Sequence, residues 1–419
     1  DYSIFPFVTV FSGRAGCPAG CPALRMAWSL HLANGLFVQY NGASLLRKKD
    51  ESVLYDLVYL STQLFTIRRW NTKPLVEVNT EASNTGFSMH VAFLLARLEE
   101  QAIDMEKLLL RMVLKDLPKC ILSDISLETK RFIREESPDL WEETFSSAVE
   151  DVLKKTPEAW QDTFRVCMKN AKDDSPEGRI IQVADLYSAT IECDINRRVF
   201  GMYFEETFQD LEKELFAISD LLSIGKLLRS DTLREYLVQL RSLIHAIRWN
   251  QHNRHVQTSV AGHTFFVVFV SVLLHGIAHQ QGVSALRLEN VLLKALFHDV
   301  PESITGDIIS PTKRRVPGFE QTIERVEKRM VKQTILEKLP QELQREVEPF
   351  MLQPFSGREG KLVRGADLLG SLFECMIEIK SGNRNPFFRD AYAQLLRELE
   401  ELALPEVNTF LELGLPEVL

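Results

Sequence analysis

Apolar residues recur at spacings of three and four through Leu108–Leu114, Phe265–Leu274, Val291–Phe297 and Leu368–Ile379. That spacing lays a stripe along one face of a helix. Val53–Leu64 and Leu233–Ile244 are amphipathic in the same way. Runs that alternate apolar and polar between turn residues, the mark of strands, are missing. The pattern predicts an all-α protein of packed helical bundles. The longest apolar stretch, Thr264–Leu274, ends at His275. It falls short of the roughly 20 residues a membrane helix needs and reads as a buried helix. The charge-rich stretch Glu320–Lys332 reads as a solvated helix face.

The pattern also repeats. Phe65-Thr-Ile-Arg-Arg-Trp-Asn71 resembles His245-Ala-Ile-Arg-Trp-Asn250, and Leu114-Lys-Asp-Leu-Pro-Lys119 aligns with Phe297-His-Asp-Val-Pro-Glu302. Asp124 in Ser123–Ser126 pairs with Asp307 in Gly306–Ile309, and Ala184–Cys193 matches Ala366–Cys375. Four blocks in one order, offset by roughly 179 to 183 residues, indicate a tandem duplication. The expected organisation is an N-terminal extension over 1–44, a first helical domain over 45–224 and a second over 225–419. The junction falls near Ile224–Asp231, where Ser230-Asp-Thr232 can cap a new helix.

Composition narrows the functions. The 419 residues are 45% hydrophobic, enough for a large core, and carry a formal net charge of −9. An acidic chain is a poor partner for long nucleic-acid backbones, yet a small phosphorylated substrate stays open because a bound metal overrides the global field. The six cysteines are scattered and form no disulfide framework, which fits a reducing, cytoplasmic setting. Cys17 and Cys21 have metal-like spacing but no second ligand pair follows. No basic region followed by a long apolar run opens the sequence, so no secretory signal and no membrane association are expected.

The second half holds the chemistry. His263 opens an apolar helix, His298-Asp299 ends another before Pro301, and Asp367 lies in a third. Two imidazoles and two carboxylates suit a divalent first-row metal with open positions. Such an ion lowers the pKa of water and neutralises phosphoryl oxygens, the two needs of phosphoester hydrolysis. His275 and His279 sit four apart on one helix, a zinc-compatible spacing, but no acidic partner lies beside them.

The series His263, His298-Asp299 and Asp367 matches the signature of the HD superfamily of phosphohydrolases. With Arg248-Trp249 upstream, the run Phe297-His-Asp-Val-Pro-Glu-Ser-Ile-Thr-Gly-Asp-Ile-Ile-Ser-Pro-Thr-Lys313 resembles the YfbR-type 5′-deoxynucleotidases. The resemblance covers about 248–390 well and the first half weakly. It implies that His263, His298, Asp299 and Asp367 hold one divalent metal (Mn, Co, Mg, Fe, Ni or Zn). It implies that Glu302 orients or deprotonates the attacking water beside Asp299. Arg248 would contact phosphate, Trp249 would pack on sugar or base, Asp307 would sit near a sugar hydroxyl, and Lys313 would add charge near the phosphate. Gly262 departs from the family, which often has an acidic residue there. Plainer roles compete: Asp307 as a turn cap, Trp249 as core, Arg248 as an ordinary ion-pair partner.

The first half looks disarmed. Either Phe87 or Asn84 stands for the first His, Lys115 replaces the doublet His and Lys119 replaces Glu302, while Asp116, Asp124 and Asp185 remain. A cation in a ligand position opposes a metal. The expectation is therefore two tandem HD-like bundles forming an intramolecular pseudo-dimer, with one working site. Superfamily relatives commonly act as dimers, and a homo-oligomer of this chain stays open. The degenerate half is read as scaffold first and as a regulatory nucleotide site second. The expected activity is hydrolysis of (deoxy)nucleoside 5′-monophosphates. A deoxynucleoside triphosphatase, a cyclic-nucleotide or alarmone phosphodiesterase, and a non-catalytic nucleotide sensor are the alternatives.

Overall fold

The computed structural model describes residues 48–413 apart from 219–220, 284, 309–311 and 313–314. The N-terminal extension, Cys17, Cys21 and Lys313 lie outside the described residues. Helices dominate, and strand-like pairing among the described residues is confined to single bridges. In the first half the main helices are α1 (Lys48–Ser61), α2 (Glu81–Leu98), α3 (Met105–Leu114) and α4 (Pro176–Ala217). In the second they are α5 (Asp231–Arg241), α6 (Val260–Gln280), α7 (Leu288–Phe297), α8 (Phe319–Thr334), α9 (Gln341–Leu352), α10 (Gly357–Lys380) and α11 (Pro386–Leu402).

The duplication recurs in backbone detail. Arg68 bridges Thr80 and Ile247 bridges Ser259, both antiparallel. Trp70 and Trp249 both take left-handed φ, 54° and 57°. Thr80 Oγ1 accepts from Ser83 N at 3.3 Å, and Ser259 Oγ accepts from Gly262 N at 3.0 Å, so equivalent hydroxyls cap α2 and α6. The short helices Lys119–Leu122 and Glu302–Thr305 end at Ser123 and Gly306, with φ 64° and 69° and ψ near ±175°. That region belongs almost entirely to glycine, so Ser123 is strained where the second copy is relaxed. The copies diverge later. α4 runs on through non-helical Phe200 (φ −116°, ψ 49°), whereas α10 stops and the chain turns at Gly382 (φ 83°) before α11.

The two halves meet along α2 and α6. A Cβ on Gly86 would lie 2.0 Å from the Ala261 carbonyl oxygen, so only glycine permits this approach. Ser83 Oγ lies 2.7 Å from Ser259 Oγ, Phe65 meets Phe266 at 5.5 Å, and Phe93 meets Phe297 edge-on at 4.9 Å. The capped α6 extends past the apolar stretch to 21 residues, long and apolar enough to cross a membrane, but its apolar window is wholly buried inside the protein. It is the central core helix. Along the charge-rich α8 only Ile323 and Val331 are buried.

Candidate active site

His263 sits in the first turn of α6, aimed by the Ser259 cap. His298 and Asp299 follow the last residue of α7, and Asp367 projects from α10. A ligand atom from each of His263, His298 and Asp299 falls within 4.8 Å of the others. His263 Nε2 is 3.1 Å from Asp367 Oδ1, and His298 Nε2 is 3.1 Å from Asp299 Oδ2. His298 Nδ1 lies 2.8 Å from the Ala295 carbonyl, which places a proton on Nδ1, so that the neutral ring offers Nε2 as its lone pair. Buried His298 Nε2 and Asp299 Oδ2 make no hydrogen bond. Two orphaned donor atoms side by side are what a divalent ion would satisfy, so the residue set fits one. Asp367 is partly engaged elsewhere, accepting from Arg364 Nη1 at 2.6 Å.

A buried carboxylate organises this cluster. Glu374, 1% exposed, is within 3.0 Å of His263 Nδ1 and accepts from Arg248 Nε at 3.1 Å and Trp249 Nε1 at 2.7 Å. Arg254 Nη1 lies 3.5 Å away and binds Glu378 through Nε at 3.3 Å. Neither Glu374 nor Arg254 was singled out from sequence, although Glu374 lies next to last in the repeated block and recurs as Glu192. Gly370 lets α10 approach, since a Cβ there would meet His263 Cε1 at 3.0 Å.

These contacts set the protonation states. Burial, the largest influence, and the Arg248 charge push the His263 imidazolium down, but hydrogen bonds to Asp367 and Glu374 outweigh them and raise it to about 8. Burial opposes ionisation of Glu374, yet Arg248 and His263 hold it well below the usual carboxylate range. Asp299 is also lowered: burial opposes this, and the charge of His298 prevails.

The other expected residues surround the cluster. Arg248 is buried, its Nη1 3.7 Å from Asp299 and its Nη2 donating to Ser371 Oγ at 2.9 Å. Trp249 N donates to Asp307 Oδ2 at 3.3 Å. The Trp249 ring stands edge-on to Phe387, which stacks on His252 at 3.6 Å. Glu302 begins the short helix after Asp299, and its charge acts on Arg248 together with those of Asp299 and Asp307. His275 uses Nε2 on the Leu286 carbonyl at 3.2 Å, away from this site.

In the first half, the matching bridges and caps make Asn84, rather than Phe87, the counterpart of His263. Asn84, Lys115, Asp116 and Asp185 line one cavity. Lys115 Nζ is ion-paired to Asp116 and lies 3.1 Å from Asp185 Oδ2. An ammonium thus bridges the two carboxylates that correspond to Asp299 and Asp367.

A family model described as 5′-deoxynucleotidase YfbR-like matches residues 57–228 and again 235–418. The chain belongs to this YfbR-like family. Both copies are members by sequence, and the family is one of metal-dependent nucleotide phosphohydrolases, so the chain is a hydrolytic enzyme. A 5′-deoxynucleotidase of Yersinia pestis (strain Pestoides F) is 32% identical over 165 residues, 39% of this YfbR-like chain and 82% of the relative. A 5′-deoxynucleotidase of Yersinia pseudotuberculosis serotype O:3 (strain YPIII) matches equally. Among solved structures, an HD-domain phosphohydrolase from Listeria innocua is 26% identical, covering 44% of this chain and 89% of its own, with a TM-score of 0.42. The PH0347 protein from Pyrococcus horikoshii OT3 is 26% identical, covering 43% and 94%, with a TM-score of 0.34.

Proposed function

We propose that the second half hydrolyses a nucleoside 5′-monophosphate, a deoxynucleotide first among them, to nucleoside and phosphate. The observation that carries this reading is the pair of buried donor atoms without hydrogen bonds, His298 Nε2 and Asp299 Oδ2, beside His263. His263, His298, Asp299 and Asp367 would hold one divalent ion, and the two imidazoles favour a first-row metal over Mg. When bound, the ion supplies a Lewis acid that lowers the pKa of water and screens phosphoryl charge. Glu302 takes a proton from the attacking water as its oxygen bonds to phosphorus. The bond from phosphorus to the 5′ oxygen breaks, that oxygen leaves as the nucleoside alcohol with a proton from solvent, and Glu302 returns its own proton to solvent. Arg248, fixed by Glu374 and Ser371, faces the charge on the phosphoryl oxygens. Trp249 and the stacked Phe387–His252 pair form an aromatic wall for the sugar or base. Asp307 and Lys313 would meet the sugar hydroxyl and the phosphate. The substrate class is supported by the similar Yersinia 5′-deoxynucleotidases.

The test is phosphate release from ribo- and deoxynucleoside 5′-monophosphates with Mn, Co, Mg or chelator, for the wild type and Asp299→Ala. Metal-dependent release from one substrate class is expected, falling at least about a hundredfold in the variant. Silence across the panel from metal-loaded protein would overturn the reading in favour of triphosphates, cyclic nucleotides or sensing.

A further inference from the structure

The first half has not simply lost its site. Buried Glu81 stands where the second copy has Val260, and its Oε2 accepts from Lys119 Nζ at 2.6 Å. The Lys119 that replaces Glu302 is therefore matched by an added carboxylate. Lys119 Nζ is also 3.0 Å from Asp116 Oδ1, and Lys172 Nζ is 2.7 Å from Asp185 Oδ2. Arg69 joins Glu81 at 3.1 Å and Glu192 at 2.9 Å. Arg69, Lys115, Lys119, Lys130 and Lys172 balance Glu81, Asp116, Asp124, Asp185 and Glu192 without any metal. In the second half Arg248, Arg254 and Arg364 face Asp299, Asp367, Glu374, Glu378, Glu302 and Asp307, an acidic excess that calls for a cation.

The cavity over the rebuilt cluster has nevertheless stayed open, at about 760 Å³, within the range of small-molecule sites. An ammonium has three donors. Lys115 and Lys119 each use two on carboxylates, which leaves one N–H apiece. Around them Lys73, Lys130, Arg134 and Lys169 also stand in the wall, interleaved with carboxylates such as Glu128, Glu142 and Glu206. Lys130 is held below the usual lysine range, first by burial and then by Lys119. The uncharged lining also has unused polar atoms. Asn84, 4% exposed, leaves Oδ1 without a partner, and Trp70 leaves its buried Nε1 without one. Both atoms are buried just beneath the cavity lining, and buried polar atoms of this kind call for a partner.

We propose that this first-half cavity binds a nucleoside monophosphate without a metal, with Lys115 and Lys119 donating to the phosphate and Trp70 and Asn84 facing the nucleoside. The proposal is independent of hydrolysis in the second half. Its test uses the full chain carrying Asp299→Ala, treated with chelator so that the second-half site is silent. Equilibrium dialysis would follow eight labelled ribo- and deoxynucleoside 5′-monophosphates, with inorganic phosphate as competitor. About one equivalent of at least one nucleotide should bind, phosphate should compete, and the exposed change Lys172→Glu and the rim change Lys130→Gln should each weaken binding about tenfold or more. Thermal unfolding of each variant confirms that it is folded. No binding at millimolar nucleotide, or binding that neither folded variant alters, would overturn the proposal.

Discussion

Glu374 has no place among the expected ligands, yet it touches the most machinery. Its two oxygens serve His263, Arg248 and Trp249. Glu374→Gln would keep the shape and remove the charge, freeing the His263 ring to turn and leaving two arginines less compensated. Metal affinity should drop about 10- to 100-fold, the usual cost of losing a partner behind a ligand, as read by competition with a chelator of known affinity. An unchanged affinity would show that Glu374 only packs. The raised His263 pKa has its own consequence. Below about 8 the free ring carries a proton held between Asp367 and Glu374. A metal must displace it from Nε2, so affinity should climb as pH rises towards 8 and level off above. Calorimetry in buffers of different ionisation heat should find about one proton released at pH 6.5; no release there would remove His263 from the ligand set.

At the scale of elements, the α2–α6 contact is the joint on which the duplicated architecture depends. The Gly86→Ala change would force a methyl into the Ala261 carbonyl, where backbone on both sides has to move. Overpacking of this kind costs about 1–3 kcal/mol, so thermal unfolding should fall by several degrees; an undiminished midpoint would mean the helices can separate without loss. Much of this scale was legible in advance. The three-and-four spacing announced α3, α6, α7 and α10, and Ser230 does cap α5, accepting from Leu233 N at 3.3 Å. Sequence alone left two counterparts for His263 because no register was available. The equivalent caps Thr80 and Ser259 decide for Asn84, since a cap fixes where a helix starts counting. The continuation of α4 through Phe200 was not legible, because a kinked helix and a helix–turn–helix share one apolar pattern. The net around Glu374 was hidden for another reason: buried charges advertise themselves only through partners distant in sequence, and Arg254 and Glu374 are 120 residues apart.

At the scale of the whole molecule, the copies solve one electrostatic problem in opposite ways. The second half keeps orphaned donors and an acidic surplus that a divalent ion can fill. The first half installs Lys115 between Asp116 and Asp185, so the ion's place is taken by an ammonium that cannot leave. Burial opposes the charge of Lys115, yet Asp116 and Asp185 raise its pKa above the ordinary value, so the position holds its cation more firmly than an ordinary lysine would. The wild-type chain should therefore take up about one equivalent of metal, and Asp299→Ala should abolish that uptake. Restoring the ligand types with Asn84→His, Lys115→His and Lys119→Glu should add a second equivalent, because Asp116 and Asp185 would lose their cation and regain a vacancy. The same triple change leaves Glu81 facing a new carboxylate, so Glu81→Val must accompany it to return that position to the residue of the second copy. Metal counting by inductively coupled plasma spectrometry after gel filtration distinguishes the cases. About two equivalents in the rebuilt chain would show that the charge exchange alone disarmed the first half. A single equivalent in a chain that still unfolds cooperatively would place the loss in the backbone as well, where strained Ser123 stands in for Gly306.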